Sequence, residues 1–133
     1  MDDFAFEYRV RITDADIMGV MHHHHYLRIF EWAREEYFRA LGHVCLDYIQ
    51  QDRYLAALAV SYRMTRQVTY DQVLRIVVRF AKATKARMTL RYDVFEKSSG
   101  EKIATGTTEH AILTSQGKVV RMPADFIELA KNK

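Results

Sequence analysis

The residues best suited to do chemistry lie between positions 13 and 26, where the sequence reads TDADIMGVMHHHHY. Two carboxylates, Asp14 and Asp16, precede the four consecutive histidines His22–His25. Carboxylates and imidazoles transfer protons, carboxylates attack carbonyl carbons, and both bind divalent metals. The segment is therefore a candidate acid–base site, nucleophilic site or metal site. The run is internal to the chain, which argues against a purification tag.

The elements on either side predict how this segment is held. Residues 4–12 alternate apolar and polar side chains at their end, which predicts a first strand, and residues 13–23 form a loop around Gly19. From about 24 to 41 the apolar residues take helical spacing, and Gly42 follows where a helix would end. This helix is apolar over more than half of its girth, so we expect other structure to wrap it.

The rest of the chain is predicted to be mostly strand. A weaker helix covers 43–52, and a helical tail begins at Pro123. The predicted strands are 55–69, 72–83, 87–97, 102–114 and 119–121, with turns at 98–101 and 115–118. Strands joined by short turns are antiparallel neighbours, and their apolar face needs the long helix to cover it. We predict an α+β fold, an antiparallel sheet curled around a central helix.

Composition limits the classes of function. The 133 residues are 49% hydrophobic and 28% charged, which fits one globular domain spanning residues 1–133. Basic and acidic residues are interleaved, so the net charge of +3 favours no nucleic-acid partner but suits a small anionic ligand. With Cys45 as the single cysteine, a free buried thiol and a reducing compartment are expected. Without a signal peptide or an apolar run of about 18 residues, we expect a cytoplasmic protein with no membrane span.

Residues 10–42, VRITDADIMGVMHHHHYLRIFEWAREEYFRALG, resemble the opening of the hotdog-fold acyl-CoA thioesterases of the 4-hydroxybenzoyl-CoA thioesterase type. That family shows an Asp-x-Asp, a Gly-Val, a Tyr-His-x-Asn-Tyr and then a helix with Glu-x-Ala-Arg. The family's tyrosine and asparagine are His22 and His25 here. The resemblance continues through TYDQVLRI (69–76), ARMTLRYDVF (86–95), IATGTTEHAIL (103–113) and GKVVRMP (117–123), and so covers nearly the whole chain.

The resemblance implies a hotdog fold assembled as a homodimer or homotetramer that hydrolyses an acyl-CoA to the free acid and CoA, without a metal or an organic cofactor. It implies Asp16 as general base or nucleophile, and the amide near His23 as the oxyanion donor at the positive end of the helix. The expected substrate contacts are Gly19, Val20 and Tyr26, and the expected phosphate contacts of CoA are Lys82, Lys85 and Arg87.

Other interpretations of the same residues stay open. Asp16 is also suited to capping a turn, and His23 to an exposed loop, while Asp14 is expected to be a structural turn residue. Glu31 and Arg34, three apart on the helix, are expected to pair. We expect His43 and His110 to be structural, and Tyr26 to lie in the core or a pocket wall.

Two rival functions use the same sequence features. The first is a non-catalytic protein of this fold that binds acyl-CoA or an acyl carrier, since fold does not fix function. The second is a hydrolase that uses a metal held by the aspartates and histidines, which a chelator would inactivate. A hotdog dehydratase is less favoured, because its histidine and acid are placed differently along the chain.

Overall fold

The computed structural model describes residues 4–131 and contains three helices and six strands in that range. The helices are α1 (His25–Ala40), α2 (Cys45–Gln50) and α3 (Ala124–Lys131). The strands are β1 (Phe4–Arg9), β2 (Tyr54–Met64), β3 (Val73–Ala83), β4 (Met88–Glu96), β5 (Lys102–Leu113) and β6 (Val119–Val120).

The strands form one antiparallel sheet in the order β1-β3-β4-β5-β2, with β6 paired to β5. Helix α1 lies against the sheet, and Tyr26, Ile29 and Phe30 on its inner face are buried. Alternate residues of β3 and β4 face this helix in the core, as the period of two in the sequence predicted. They are Leu74, Ile76, Val78, Phe80, Met88, Leu90, Tyr92 and Val94. The predicted antiparallel sheet around a long helix is confirmed.

The helix and the sheet approach each other most closely at Gly106. A Cβ atom at this position would lie 2.5 Å from the Phe30 ring and 3.1 Å from the carbonyl oxygen of Ser61. The same Phe30 ring stacks on Tyr92, with 4.2 Å between the centroids. Glycine at position 106 is therefore what allows α1 to seat an aromatic ring directly on the sheet.

Two strands end earlier than the sequence predicted. Strand β1 ends at Arg9 rather than at 12, because residues Ile12–Asp14 form a 3-10 turn and the Asp14 carboxylate accepts the Arg11 N–H at 2.8 Å. Strand β2 ends at Met64 rather than at 69. The residues after it pair with the loop before α1 instead, since the Met21 N–H donates to the Val68 carbonyl at 2.7 Å.

Strand β2 forms an edge of the sheet, and in residues 4–131 it pairs with β5 alone. Its outer edge is apolar: Leu55, Leu58 and Val60 are 38%, 43% and 44% exposed. Leu27 on α1 is also 43% exposed, so the chain does not wrap the whole of the helix. An unpaired apolar edge of this length is a surface on which another strand can add.

The expectation of a buried thiol at Cys45 was wrong. Cys45 begins α2, a helix of six residues in which no residue is buried, and the thiol is exposed. Such a short helix covers little of the core, so its first residue stays in contact with solvent. Between residues 4 and 131, no helix is long and apolar enough to cross a membrane.

Candidate active site

Asp16 begins a tight turn at the surface. Its Oδ1 atom accepts the N–H of Met18 at 2.8 Å and the N–H of Val20 at 3.1 Å, while in the described range nothing donates to Oδ2. Gly19 has φ of 78°, and its missing side chain would meet open space. Glycine is required here by the backbone conformation rather than by a close neighbour. The turn thus fixes one carboxylate oxygen and leaves the other available.

Backbone hydrogen bonds hold this turn in place. The Asp16 N–H donates to the Val20 carbonyl at 2.9 Å, and the Tyr70 N–H donates to the Gly19 carbonyl at 2.8 Å. Val20 also forms an isolated bridge to Thr69. The exposed carboxylate of Asp16 therefore sits on a segment fixed to the strand-like residues that follow β2.

The start of α1 leaves amide donors unused. The N–H groups of His25 and Tyr26 donate to the carbonyls of His22 and His23 at 3.0 and 3.2 Å, but within residues 4–131 the amides of His23 and His24 have no acceptor. No side chain caps the helix, and no acidic residue lies in its first turn. The positive end of the helix dipole is thus uncompensated, which suits it to a developing oxyanion.

The His23 side chain is tied to the edge strand. Its Nδ1 atom lies 2.9 Å from the hydroxyl of Tyr62 on β2. Tyr26, an expected substrate contact, is buried beneath it, with its ring centroid 5.6 Å from that of Tyr62. Burial raises the pKa of Tyr26 to about 12, and its hydroxyl has no hydrogen-bond partner in the described range.

A second cluster lies behind the loop, around the buried Asp14. Its carboxylate accepts the hydroxyl of Tyr8 and the Arg11 N–H, and its Oδ1 atom lies 3.1 Å from His25 Nε2. Burial lowers the pKa of His25 although the Asp14 charge acts in the opposite direction. His25 Nε2 is placed to donate to Asp14, and the Tyr8 hydroxyl lies 3.3 Å from the same nitrogen. Asp14 is a structural residue, as expected, but in a core cluster rather than a simple turn.

The histidine run thus divides by position. His25 is buried on Asp14, and His23 reaches Tyr62, while the His22 and His24 rings stack outside with 5.3 Å between centroids. In residues 4–131, no group of three or more His, Cys, Asp or Glu side chains is placed to hold a metal ion. The core role of His25 was missed in the sequence. The available signal was its spacing to Ile29 and Ala33, which share its buried face.

The thioesterase-like superfamily matches residues 10–129. The chain belongs to that superfamily. Its fold is also that of a 1,4-dihydroxy-2-naphthoyl-CoA thioesterase from Synechocystis, at a TM-score of 0.87 and 18% identity over 98% of this chain and 97% of that one. At 25% identity it matches a protein from Aquifex aeolicus (TM-score 0.86; 96% and 98% covered). At the same identity it matches a DHNA-CoA thioesterase from Staphylococcus aureus (TM-score 0.84; 88% and 78% covered).

Within this thioesterase-like chain the expected phosphate contacts lie far from Asp16. Lys82 is the last residue but one of β3, and Lys85 and Arg87 belong to the turn between β3 and β4. The loop before α1 lies at the other end of β3, where the Val10 N–H donates to the Gln72 carbonyl. The length of β3 separates Lys82 from Gln72, where this contact is made, by about 30 Å. One chain therefore does not bring these basic residues to Asp16 and His23.

A cavity of about 310 Å³ lies between α1, α2 and the first residues of β2. Leu55 lines this cavity, whereas Tyr62, which binds His23, lies seven residues further along the same strand. That separation is about 23 Å along β2. The cavity and the start of α1 thus lie at opposite ends of the edge strand in one chain.

Proposed function

We propose that this protein is an acyl-CoA thioesterase, which hydrolyses an acyl-CoA to the free acid and CoA. The observation that carries the proposal is the uncapped start of α1, with the free amides of His23 and His24 next to the turn that presents Asp16. Thioester hydrolysis needs a donor for the carbonyl oxygen and a carboxylate to act on water or on the carbonyl carbon. Membership of the thioesterase-like superfamily supports the same activity.

In the proposed reaction, the His23 amide donates to the thioester oxygen and stabilises its negative charge as the tetrahedral intermediate forms. As general base, Asp16 takes a proton from water through its free Oδ2 while the water oxygen bonds to the carbonyl carbon. The C–S bond then breaks, its electron pair moves to sulfur, and the proton passes to the CoA thiolate. As nucleophile, Asp16 instead attacks the carbonyl carbon, the C–S bond breaks so that the CoA thiolate leaves, and water hydrolyses the resulting mixed anhydride in a second step.

Two observations support a site formed by two copies of the chain. The edge of β2 is apolar and unpaired in the described range, and the cavity and the α1 start lie at its opposite ends. Antiparallel pairing of two β2 strands places the Leu55 end of one copy beside the Tyr62 end of the other. We therefore propose a homodimer, or a homotetramer built from it, in which each His23 faces the other copy's cavity.

The same pairing accounts for the distant basic residues. Lys82, Lys85 and Arg87 lie at the cavity end of the sheet, since Met88 on β4 pairs with His110, and His110 pairs with Ala57 near the start of β2. In the proposed dimer this end approaches the partner's Asp16 turn, so the lysines are placed to bind the phosphates of the CoA held there. Of the three, Arg87 is the least available to bind a phosphate, because the Glu109 carboxylate lies 3.7 Å from its guanidinium.

A non-catalytic acyl-CoA-binding protein is the second candidate. The observation that favours it is the pair of amides on Asp16 Oδ1, because this arrangement also serves a carboxylate whose only role is to shape a turn. Such a protein would bind acyl-CoA and release no thiol.

The test is free-thiol release from short, long and aromatic acyl-CoAs, by wild type and Asp16→Asn, with and without EDTA. Turnover that resists the chelator and falls at least 100-fold in the variant supports the proposal. Equal rates in both proteins remove Asp16 from the reaction, and inhibition by EDTA favours the metal-dependent rival. Binding without turnover across the panel favours the second candidate. A single turnover in ¹⁸O-labelled water separates the two roles of Asp16, since only a nucleophile passes its own unlabelled oxygen to the first product.

A further inference from the structure

The cavity bordered by α1 is lined by one largely buried charged side chain, which the proposed reaction does not use. Arg34 lines it, and this side chain is only 14% exposed. The carboxylate nearest to it, that of Glu31, is 64% exposed and lies 4.0 Å away, beyond hydrogen-bond distance. The other acidic and basic side chains of the lining are Glu35 and Arg53, which are exposed, and His43, whose Nε2 atom lies 2.7 Å from the Asp125 carboxylate. The interior of the cavity is therefore positive, and solvent screens the charges at its mouth.

Arg34 is held from behind by a buried chain of hydrogen bonds. Tyr92, Thr108 and His110 are buried, and Thr108 Oγ1 lies 2.6 Å from the Tyr92 hydroxyl and 2.7 Å from His110 Nε2. His110 Nδ1 lies 3.2 Å from the Ala56 carbonyl oxygen, which can only accept. Burial, assisted by the Arg34 charge, lowers the pKa of His110 to about 4, so its ring carries a single proton at pH 7.

These contacts fix the direction of every hydrogen bond in the chain. Nδ1–H of His110 donates to Ala56, so Nε2 accepts from Thr108, and Thr108 in turn accepts from Tyr92. The Tyr92 oxygen then has only lone pairs to offer, and the nearby Arg34 charge opposes the rise in the Tyr92 pKa caused by burial. The guanidinium of Arg34 has five N–H donors, and the oxygen of Tyr92 can accept from only part of them. The remaining donors are available to a bound group.

Most of the remaining wall of the cavity is apolar, and the cavity is of a size to hold a small organic group. Phe38, Ile49, Leu55, Ile112 and Phe126 line it, and its volume of about 310 Å³ is at the lower end for ligand pockets. A desolvated guanidinium in such surroundings is costly unless a bound group supplies an acceptor. An acyl group with an oxygen at its far end meets both requirements, because its body contacts the apolar wall and its oxygen accepts from Arg34.

We infer that Arg34 selects acyl groups that carry a hydroxyl or carboxylate oxygen at the end remote from the thioester. The inference rests on the proposed function, since the cavity of one copy receives the acyl group whose thioester lies at the partner's His23. Arg34 is a specificity-determining residue in this scheme, and Tyr92 is its positioning residue. A charge-assisted hydrogen bond of this kind gives a preference of about tenfold to 100-fold over an equally large methyl-bearing group.

The experiment compares 4-hydroxybenzoyl-CoA with 4-methylbenzoyl-CoA, which differ only in the group at the far end of the ring. Wild type is expected to favour the hydroxyl substrate at least tenfold in kcat/KM. Arg34→Met should bring that ratio near one, because kcat/KM falls more on the hydroxyl substrate than on the methyl substrate, and Arg34→Lys should restore part of it. Arg39→Met, on an exposed position of the same helix outside the cavity, should keep the wild-type ratio.

A wild-type ratio near one, or an unchanged ratio in Arg34→Met, overturns the inference. If Arg34→Met does not fold, Tyr92→Phe tests the same point, because it frees the guanidinium and should reduce the ratio. Binding of the thioethers 4-hydroxyphenacyl-CoA and 4-methylphenacyl-CoA, measured by calorimetry, separates the two proposals. If no thioester is hydrolysed but the hydroxyl thioether binds more tightly, and that preference is lost in Arg34→Met, then the specificity stands and the thioesterase proposal fails.

Discussion

Nδ1 of His23 lies 2.9 Å from the hydroxyl of Tyr62, so a side-chain hydrogen bond fastens the loop before α1 to the edge strand β2. The amides proposed to hold the oxyanion come from this loop, and the strand is the one along which we propose that two copies pair. Any shift of β2 would therefore be passed directly to the residues around the thioester.

Replacing Tyr62 with phenylalanine removes this hydrogen bond and keeps the ring that packs on Tyr26. We expect thioester hydrolysis to fall by about three- to tenfold, because a neutral hydrogen bond contributes about 1 kcal/mol. Steady-state kinetics on the best substrate measures the effect. Tyr70→Phe is the control, since Tyr70 is 49% exposed and its backbone supports the same loop. Equal losses in both variants would contradict a specific role for the His23–Tyr62 contact.

Substitution of the two aspartates of the loop should have different effects, with Asp14 affecting mainly stability and Asp16 mainly turnover. Asp14→Asn disturbs a buried carboxylate bound by Tyr8 and Arg11, so we expect the free energy of unfolding to drop by about 2–4 kcal/mol. Asp16→Asn is at the surface and should cost less than about 1 kcal/mol while abolishing turnover. Urea denaturation and thiol release on both variants measure the two effects. The reverse pattern would transfer the catalytic role to Asp14.

His110 should make the stability depend on pH. Its pKa in the folded protein is about 4, against 6.5 for a free side chain, so the unfolded chain binds the proton more readily between these values. Stability is therefore constant above about pH 6.5 and falls as the pH drops, by about 2 kcal/mol from pH 7.5 to 5 for this group. Urea denaturation at the two pH values should give a smaller loss for His110→Gln than for wild type. The exposed His22→Asn should keep the wild-type difference.

Gly106 should tolerate no side chain while Phe30 is present. Gly106→Ala places a Cβ atom 2.5 Å from the Phe30 ring, so we expect the variant to lose about 1–3 kcal/mol of unfolding free energy. Phe30→Leu should recover part of that loss when combined with Gly106→Ala, because the smaller side chain relieves the overlap. A double-mutant cycle measured by urea denaturation gives the coupling energy. Strict additivity of the two losses would show that the ring is not the cause.

The edge of β2 should respond to added charge. Leu58→Lys puts an ammonium group on the exposed apolar edge and should disfavour pairing of two copies. Sedimentation velocity is expected to show a shift from dimer or tetramer to monomer, with turnover falling in parallel. Leu46→Lys, on the exposed helix α2, should leave both unchanged. A wild-type chain that sediments as a monomer and still turns over would refute the two-copy site.

The fold followed from the sequence because the period of its apolar residues changes sharply from two to 3.6. The inner face of β3 was predicted from the alternation of Leu74, Ile76 and Val78. The inner face of α1 was predicted from the spacing of Tyr26, Phe30 and Ala33. All six residues are buried, as predicted. These patterns depend only on local geometry, which the sequence records directly.

The site was less accessible to sequence reasoning, since it depends on contacts between distant residues. The spacing of Asp16 and Gly19 indicated the turn, but nothing local showed that His23 would meet Tyr62 or that His25 would bind Asp14. Arg34 lies 4.0 Å from Glu31, as their spacing predicted, but the Tyr92–Thr108–His110 chain behind it comes from β4 and β5 and left no local signal. Arg34 is buried because of the way α1 packs on the sheet. The sequence of the helix alone therefore does not predict this burial.

The open edge of β2 also bears on how the protein is made. From Tyr54 to Tyr62 the strand contains neither a charged residue nor a proline or glycine, and this composition is typical of segments that stack into amyloid-like aggregates. A newly synthesised chain presents that edge until it is covered, with Arg53 and Arg63 as the nearest gatekeeper charges. If two copies pair along β2 as proposed, the yield of folded protein should depend on how quickly that pairing occurs, so excess unpaired chain favours inclusion bodies.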